Sequence, residues 1–176
     1  MEIERKFRTL ADFDKVKNIL VCNGFIEKGY SHQIDTYFVN NEKINGKRIY
    51  LRLRHDEIKN KYSFDFHEII SELSTKETEM SVSGDDYEKL KYMMIGLNHQ
   101  IKAVVDKTRM KFKNNECEIV LDNVVGLGTF IEIEVEGADE SIALPILQKY
   151  QNMLSLRDED IVSRCGYPDL IIANNH

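Results

Sequence analysis

Tryptophan is absent, proline occurs only at Pro145 and Pro168, and cysteine only at Cys22, Cys117 and Cys165. Each scarcity closes off a class of structure. The three cysteines are odd in number, widely spaced and without a CxxC pair, which excludes a disulfide framework or a cysteine-based zinc site and leaves free thiols. Both prolines lie in the last third, and no Pro/Gly/Ser-rich stretch or solenoid-length repeat appears, so a single domain over residues 1–176 is expected. No apolar run approaches the roughly 18 residues of a membrane span. The opening Met1-Glu2-Ile3-Glu4-Arg5-Lys6 is also unlike the apolar core of a signal peptide, so a cytoplasmic location without a membrane partner is expected. A basic surplus is missing too: 24 Lys and Arg stand against 30 Asp and Glu, a net charge of −6, which argues against wrapping nucleic acid.

What is present is alternation. Polar and apolar residues exchange at every position in several segments, the mark of strands whose two faces meet different surroundings. Strands are predicted near 1–9, 29–39, 47–57, 61–71, 74–83, 102–113, 116–124 and 129–137. Helices are predicted from Ala11 to Cys22, with Asn23-Gly24 as the stop, from Asp85 to Leu97 and from Glu140 to Met153, with a short one around Asp158. Strands outnumber helices with no βαβ rhythm, which predicts an α+β fold dominated by antiparallel sheet.

The polar faces are ionic. Glu2, Glu4 and Lys6 share a face; so do Arg48, Arg52 and Arg54; Lys107, Arg109 and Lys111; Glu77 and Glu79; Glu118 and Asp122; and Glu132, Glu134 and Glu136. For any one strand, a solvated sheet face explains this well enough. For the whole set, shared parity favours one common charged cavity: an eight-stranded antiparallel β-barrel, charged inside, with helices packed outside. Glu4, Arg52, Arg54, Arg109 and Glu134 are then expected to converge. Crowded like charges are costly unless ligands complete them, anionic oxygens for Arg and Lys and hard cations such as Mg²⁺ or Mn²⁺ for the carboxylates. The ligand that answers both is a metal-bound polyphosphate.

The same residues resemble a known family. Glu2-Ile3-Glu4-Arg5-Lys6 is similar to the ExExK signature that opens CYTH domains, the triphosphate tunnel metalloenzymes. In the family's order follow Gln33-Ile34-Asp35-Thr36-Tyr37-Phe38, the paired arginines of Arg52-Leu53-Arg54, the acidic Glu77-Thr78-Glu79, the basic Lys107-Thr108-Arg109, Asp122, and the LGxFxExE-like run from Leu127 to Glu134. The Gln-x-Asp-Thr-Tyr-Phe stretch most resembles the class IV adenylyl cyclase branch. One departure stands out. Many family members carry a Lys on the strand after the paired arginines, where this chain has Ser63-Phe64-Asp65-Phe66-His67. Parity leaves open whether Ser63, Asp65 and His67 or Tyr62, Phe64 and Phe66 face inward.

The resemblance implies a metal-dependent enzyme acting on a triphosphate, either cyclising ATP to cyclic AMP and pyrophosphate or hydrolysing inorganic, nucleoside or thiamine triphosphate. By the family's pattern Glu2, Glu4, Asp122, Glu132 and Glu134 hold Mg²⁺ or Mn²⁺. Lys6, Arg52, Arg54, Lys107 and Arg109 bind the phosphates, and Lys6, Glu77 and Glu79 take part in catalysis. The expected partner is a small-molecule triphosphate rather than nucleic acid, with a homodimer an open option. A module that binds nucleotide or polyphosphate without turnover is the alternative, kept by the departure at the strand Lys. Loss of Arg52 or Arg54 is expected to cost ligand binding far more than stability.

Overall fold

The structure, a computed structural model, describes residues 2–39, 49–71, 73–162 and 166–174. Arg48 and Cys165 lie outside them, as do residues 47 and 48 of the third predicted strand. Strands β1 (Glu2–Thr9), β2 (Ile26–Val39), β3 (Ile49–Asp56), β4 (Lys61–Ile69), β5 (Ser74–Val82), β6 (Gln100–Lys113), β7 (Glu118–Val124) and β8 (Gly128–Glu136) form a closed barrel in the order β1-β5-β4-β3-β2-β6-β7-β8, every pair antiparallel. Helices α1 (Phe13–Cys22), α2 (Gly84–Gly96), α3 (Glu140–Met153) and α4 (Tyr167–Asn174) lie outside the barrel wall. Among the described residues no helix is long and apolar enough to cross a membrane.

Local chemistry sets the helix ends. Asp12 caps α1 by accepting the Asp14 N–H at 3.0 Å, and Gly24, at φ +82°, takes the left-handed turn that ends it. Ser83 caps α2 through the Asp86 N–H at 3.1 Å, two residues before the predicted start at Asp85. The segment around Asp158 is a single 3₁₀ turn, Asp158–Asp160.

Alternation places charge inside and hydrocarbon outside. The outward Ile3, Phe7, Phe112, Ile119, Leu121, Ile131 and Ile133 are all essentially sealed from water, covered by Val16 and Leu20 of α1 and by Ala143 and Leu147 of α3. On the opposite side Tyr87, Leu90 and Met94 of α2 cover Phe38 and Leu53. Burial of these faces is the main source of stability, so Leu147→Ala, a truncation at a fully buried site, is expected to cost about 2–5 kcal/mol in denaturant unfolding. A loss under about 1 kcal/mol would mean that α3 is not a structural cover.

The barrel closes unevenly. β1 meets β5 through only Glu2↔Thr75 and Ile3↔Ser74 in register. Farther along, the free edge of β1 is taken up by the chain after the 3₁₀ turn: Phe7 bridges Ile161, and the Val162 N–H donates to the Lys6 carbonyl at 2.9 Å. This contact delivers α4 to one end of the lumen, where Tyr167 packs on Phe130 (rings 5.1 Å apart) within a cluster that includes Tyr37, Tyr50, Val105 and Val124. Helix α4 was not anticipated from the sequence.

Candidate functional site

Register explains how the side chains meet. Glu4 stands opposite Glu134, Lys6 opposite Glu132, Arg109 opposite Asp122, and Arg52 opposite Asp65. Because side chains repeat every two residues, these pairs all face the same lumen. They surround a cavity of about 600 Å³. Glu4, Arg52, Arg54, Arg109 and Glu134 converge there as expected, together with Glu2, Lys6, Glu77, Glu79, Lys107 and Glu132.

Asp122 does not line the cavity. It faces inward but is fully buried beneath lumenal side chains, where Arg109 donates to its two oxygens at 2.7 and 2.5 Å and the Tyr167 hydroxyl donates at 2.8 Å. In this arrangement Asp122 fixes Arg109. Other acidic groups brace the cations in the same manner. Arg54 grips Asp35 with a two-pronged contact of 2.6 and 2.7 Å, and Arg52 donates to Asp65 at 2.6 Å. Both aspartates are fully buried. Asp65 lies on the β4 face that parity left open, and neither the inward turn of Asp35 nor the partner of either aspartate was read from the sequence.

The open question on β4 is settled by burial. Ser63, Asp65 and His67 are buried on the inner face, whereas Tyr62 and Phe64 pack outward against α2. His67 therefore lines the lumen, its Nδ1 2.7 Å from Oε1 of Glu77.

Crowding shifts the acid–base chemistry of the wall. Burial and the neighbouring Glu77, Glu4 and Glu136 push the Glu2 carboxyl up to about 7. Burial and the Arg109 charge bring Lys107 down to about 8. Burial disfavours the Glu132 anion as well, yet Lys6 at 3.0 Å and Arg109 at 2.8 Å hold it well below the usual carboxylate range. Glu134 goes the other way, raised well above that range by burial and by the Glu132 carboxylate.

Carboxylate oxygens of Glu4, Glu132 and Glu134 come within 4.8 Å of one another. Three carboxylate oxygens at that spacing, one of them on an acid whose ionisation is disfavoured by burial and by its Glu132 neighbour, fit a hard divalent ion such as Mg²⁺ or Mn²⁺. The same cavity carries Arg52 and Arg54 from β3 and Lys107 and Arg109 from β6. A cation site and an anion clamp thus share one chamber, the arrangement that a metal-bound phosphate chain requires.

Comparison with known proteins agrees with this geometry. A conserved protein of Pyrococcus furiosus superposes with a TM-score of 0.84 at 27% identity, over 97% of this chain and 99% of its own. A candidate adenylate cyclase from Vibrio parahaemolyticus follows at a TM-score of 0.77 and 17% identity, covering 97% of both chains. A Hippeastrum protein with a dominant triphosphatase activity matches at 0.65 and 13%, over 88% of this chain and 87% of its own. At those identities the last two show a shared fold. No curated protein matches in a sequence search. The model of the CYTH domain matches residues 1–165, and with the closed barrel and its charged lumen this places the chain in the CYTH family.

Proposed function

We propose that the protein is a metal-dependent enzyme that binds a small-molecule triphosphate in its barrel and either cyclises it in the manner of class IV adenylyl cyclases or hydrolyses it. The observation that carries this reading is the juxtaposition of the Glu4, Glu132 and Glu134 carboxylates with a wall of Arg and Lys in a single cavity. Glu4, Glu132 and Glu134 would hold Mg²⁺ or Mn²⁺, with Glu2 beside them; Asp122 would join only by releasing Arg109. When bound, the cation offsets phosphate charge and polarises the phosphoryl oxygens.

The chain's own groups do the rest. Arg52 and Arg54 enter the cavity already oriented by Asp65 and Asp35, and Arg109 by Asp122, so little side-chain freedom is lost when phosphate arrives. Lys6 and Lys107 add compact charge from the side where Tyr167 closes the lumen, their ammonium groups 4.3 and 5.0 Å from its ring centroid. In a cyclase the ribose 3′-oxygen attacks the α-phosphorus and pyrophosphate leaves; in a hydrolase water attacks the terminal phosphorus. Glu77 and Glu79 are the carboxylates proposed to orient the attacking group. The proposed setting is the cytoplasm, with no nucleic acid or membrane partner.

Incubation with ATP, inorganic triphosphate and thiamine triphosphate, with Mg²⁺ or Mn²⁺, distinguishes the two chemistries by their products. Turnover of at least one substrate, lost in excess chelator, is expected. Binding without turnover of any of the three would overturn the enzymatic reading in favour of a binding module.

A further inference from the structure

His67 lies on β4, the strand on which the sequence departs from the family's lysine, and its surroundings say what it does there. One ring nitrogen is spoken for: Nδ1 lies 2.7 Å from the Glu77 carboxylate. The other, Nε2, is buried and makes no hydrogen bond to any described residue, although the ring lines the cavity. A buried polar nitrogen left without a partner is costly, so a ring aligned on one side and unsatisfied on the other is arranged for a ligand.

Glu77 fixes the protonation pattern of the ring. Burial works against its charge, but the His67 hydrogen bond and the nearby Arg52 and Arg54 keep its carboxyl down at about 2. An ionised carboxylate can only accept, so Nδ1 must carry a proton. In the neutral ring Nε2 is then a bare acceptor and repels phosphate oxygen; it becomes a donor only in the imidazolium. Besides Glu77 on β5, the charged and titratable groups on the ring's own and flanking strands are Asp65, Glu79 on β5, and Tyr50, Arg52 and Arg54 on β3, while Glu2, Tyr37 and Asp169 line the same cavity.

We propose that His67 is a proton-gated phosphate ligand: bound triphosphate accepts a hydrogen bond from the Nε2–H of the imidazolium, so that binding draws a proton onto the ring, where a lysine would offer a permanent charge. Glu77 is the positioning residue that fixes the ring and enforces this protonation state. The proposal rests on the triphosphate reading above.

Calorimetric titration of inorganic triphosphate at saturating Mg²⁺, from pH 6 to pH 8, tests it in wild type, His67→Gln and His67→Lys. Wild-type affinity is expected to fall with pH more steeply than that of His67→Lys, approaching an extra tenfold per pH unit, about the limit for one linked proton. Repeated in buffers of different ionisation enthalpy, wild type should take up as much as one proton more per triphosphate than either variant. At pH 6, His67→Gln should bind about tenfold to a hundredfold more weakly than wild type, the range for one charge-assisted contact. Equal slopes and equal proton uptake in wild type and His67→Lys would overturn the proposal, even if His67→Gln failed to fold. Absence of wild-type binding at every pH would instead overturn the triphosphate reading and this proposal with it.

Discussion

Arg54→Ala is expected to lose ligand and fold stability together, about tenfold to a hundredfold in triphosphate affinity and about 3–5 kcal/mol of unfolding free energy. The first figure is one charge-assisted phosphate contact. The second departs from the expectation drawn from the sequence, in which lumenal arginines merely repel one another and their loss costs little. Arg54 instead holds Asp35, which is fully buried and kept well below the usual carboxylate range by that contact despite its burial. Removing the guanidinium leaves the buried Asp35 with the weaker support of Lys107, 3.7 Å away, and of the Arg52 charge. The pair Arg54→Ala/Asp35→Asn separates the two effects, because neutralising the stranded acid should return much of the melting temperature and none of the affinity. If the double variant regained triphosphate binding, Arg54 would be a scaffold residue and not a clamp.

Glu4→Gln should show the converse pattern. Glu4 is the least buried of the three clustered carboxylates, its side chain 35% exposed and its ion pair with Lys6 a loose 3.6 Å. Little stability depends on it. Neutralising one of three anionic oxygens around a hard cation should nevertheless weaken Mg²⁺ or Mn²⁺ binding by about a hundredfold, since affinity at such sites is tuned by ligand charge. Glu132→Gln is expected to be as damaging to metal binding but less clean, because Glu132 also restrains Lys6 and Arg109.

How much of this could be read in advance depended on period and on register. Eight strands were legible because alternation is regular, as in Glu132, Glu134 and Glu136 against Ile131, Ile133 and Val135, and the parity shared across strands, with β4 left open, pointed to one charged lumen. Cavity-lining residues followed from the same rule, and so did the apolar outer faces that α1, α2 and α3 cover. Parity says which face a side chain takes but not which neighbour it meets. That depends on register, so the Arg54–Asp35 and Arg52–Asp65 pairs and the retreat of Asp122 behind Arg109 were not foreseeable. α4 escaped notice because it spans eight residues, too short to show a periodic apolar stripe. Its one sequence signal was Pro168, the second residue of the helix, near the first-turn position that proline favours. Yet α4 closes the lumen, with Tyr167 against Phe130 and Asp169 tied to Lys102 and Tyr50.

The central claim is that one chamber holds a divalent cation and a triphosphate together, each completing the charge of the other. It is tested most directly by titrating inorganic triphosphate into wild type and Glu4→Gln in a calorimeter, first with saturating Mg²⁺ or Mn²⁺ and then in excess chelator. Wild type should bind at least about a hundredfold more tightly with the cation than without it, while Glu4→Gln loses most of that difference and keeps the weak, cation-free affinity of the arginine wall. Equal wild-type affinity in the two conditions, or a cation effect undiminished in Glu4→Gln, would contradict the account.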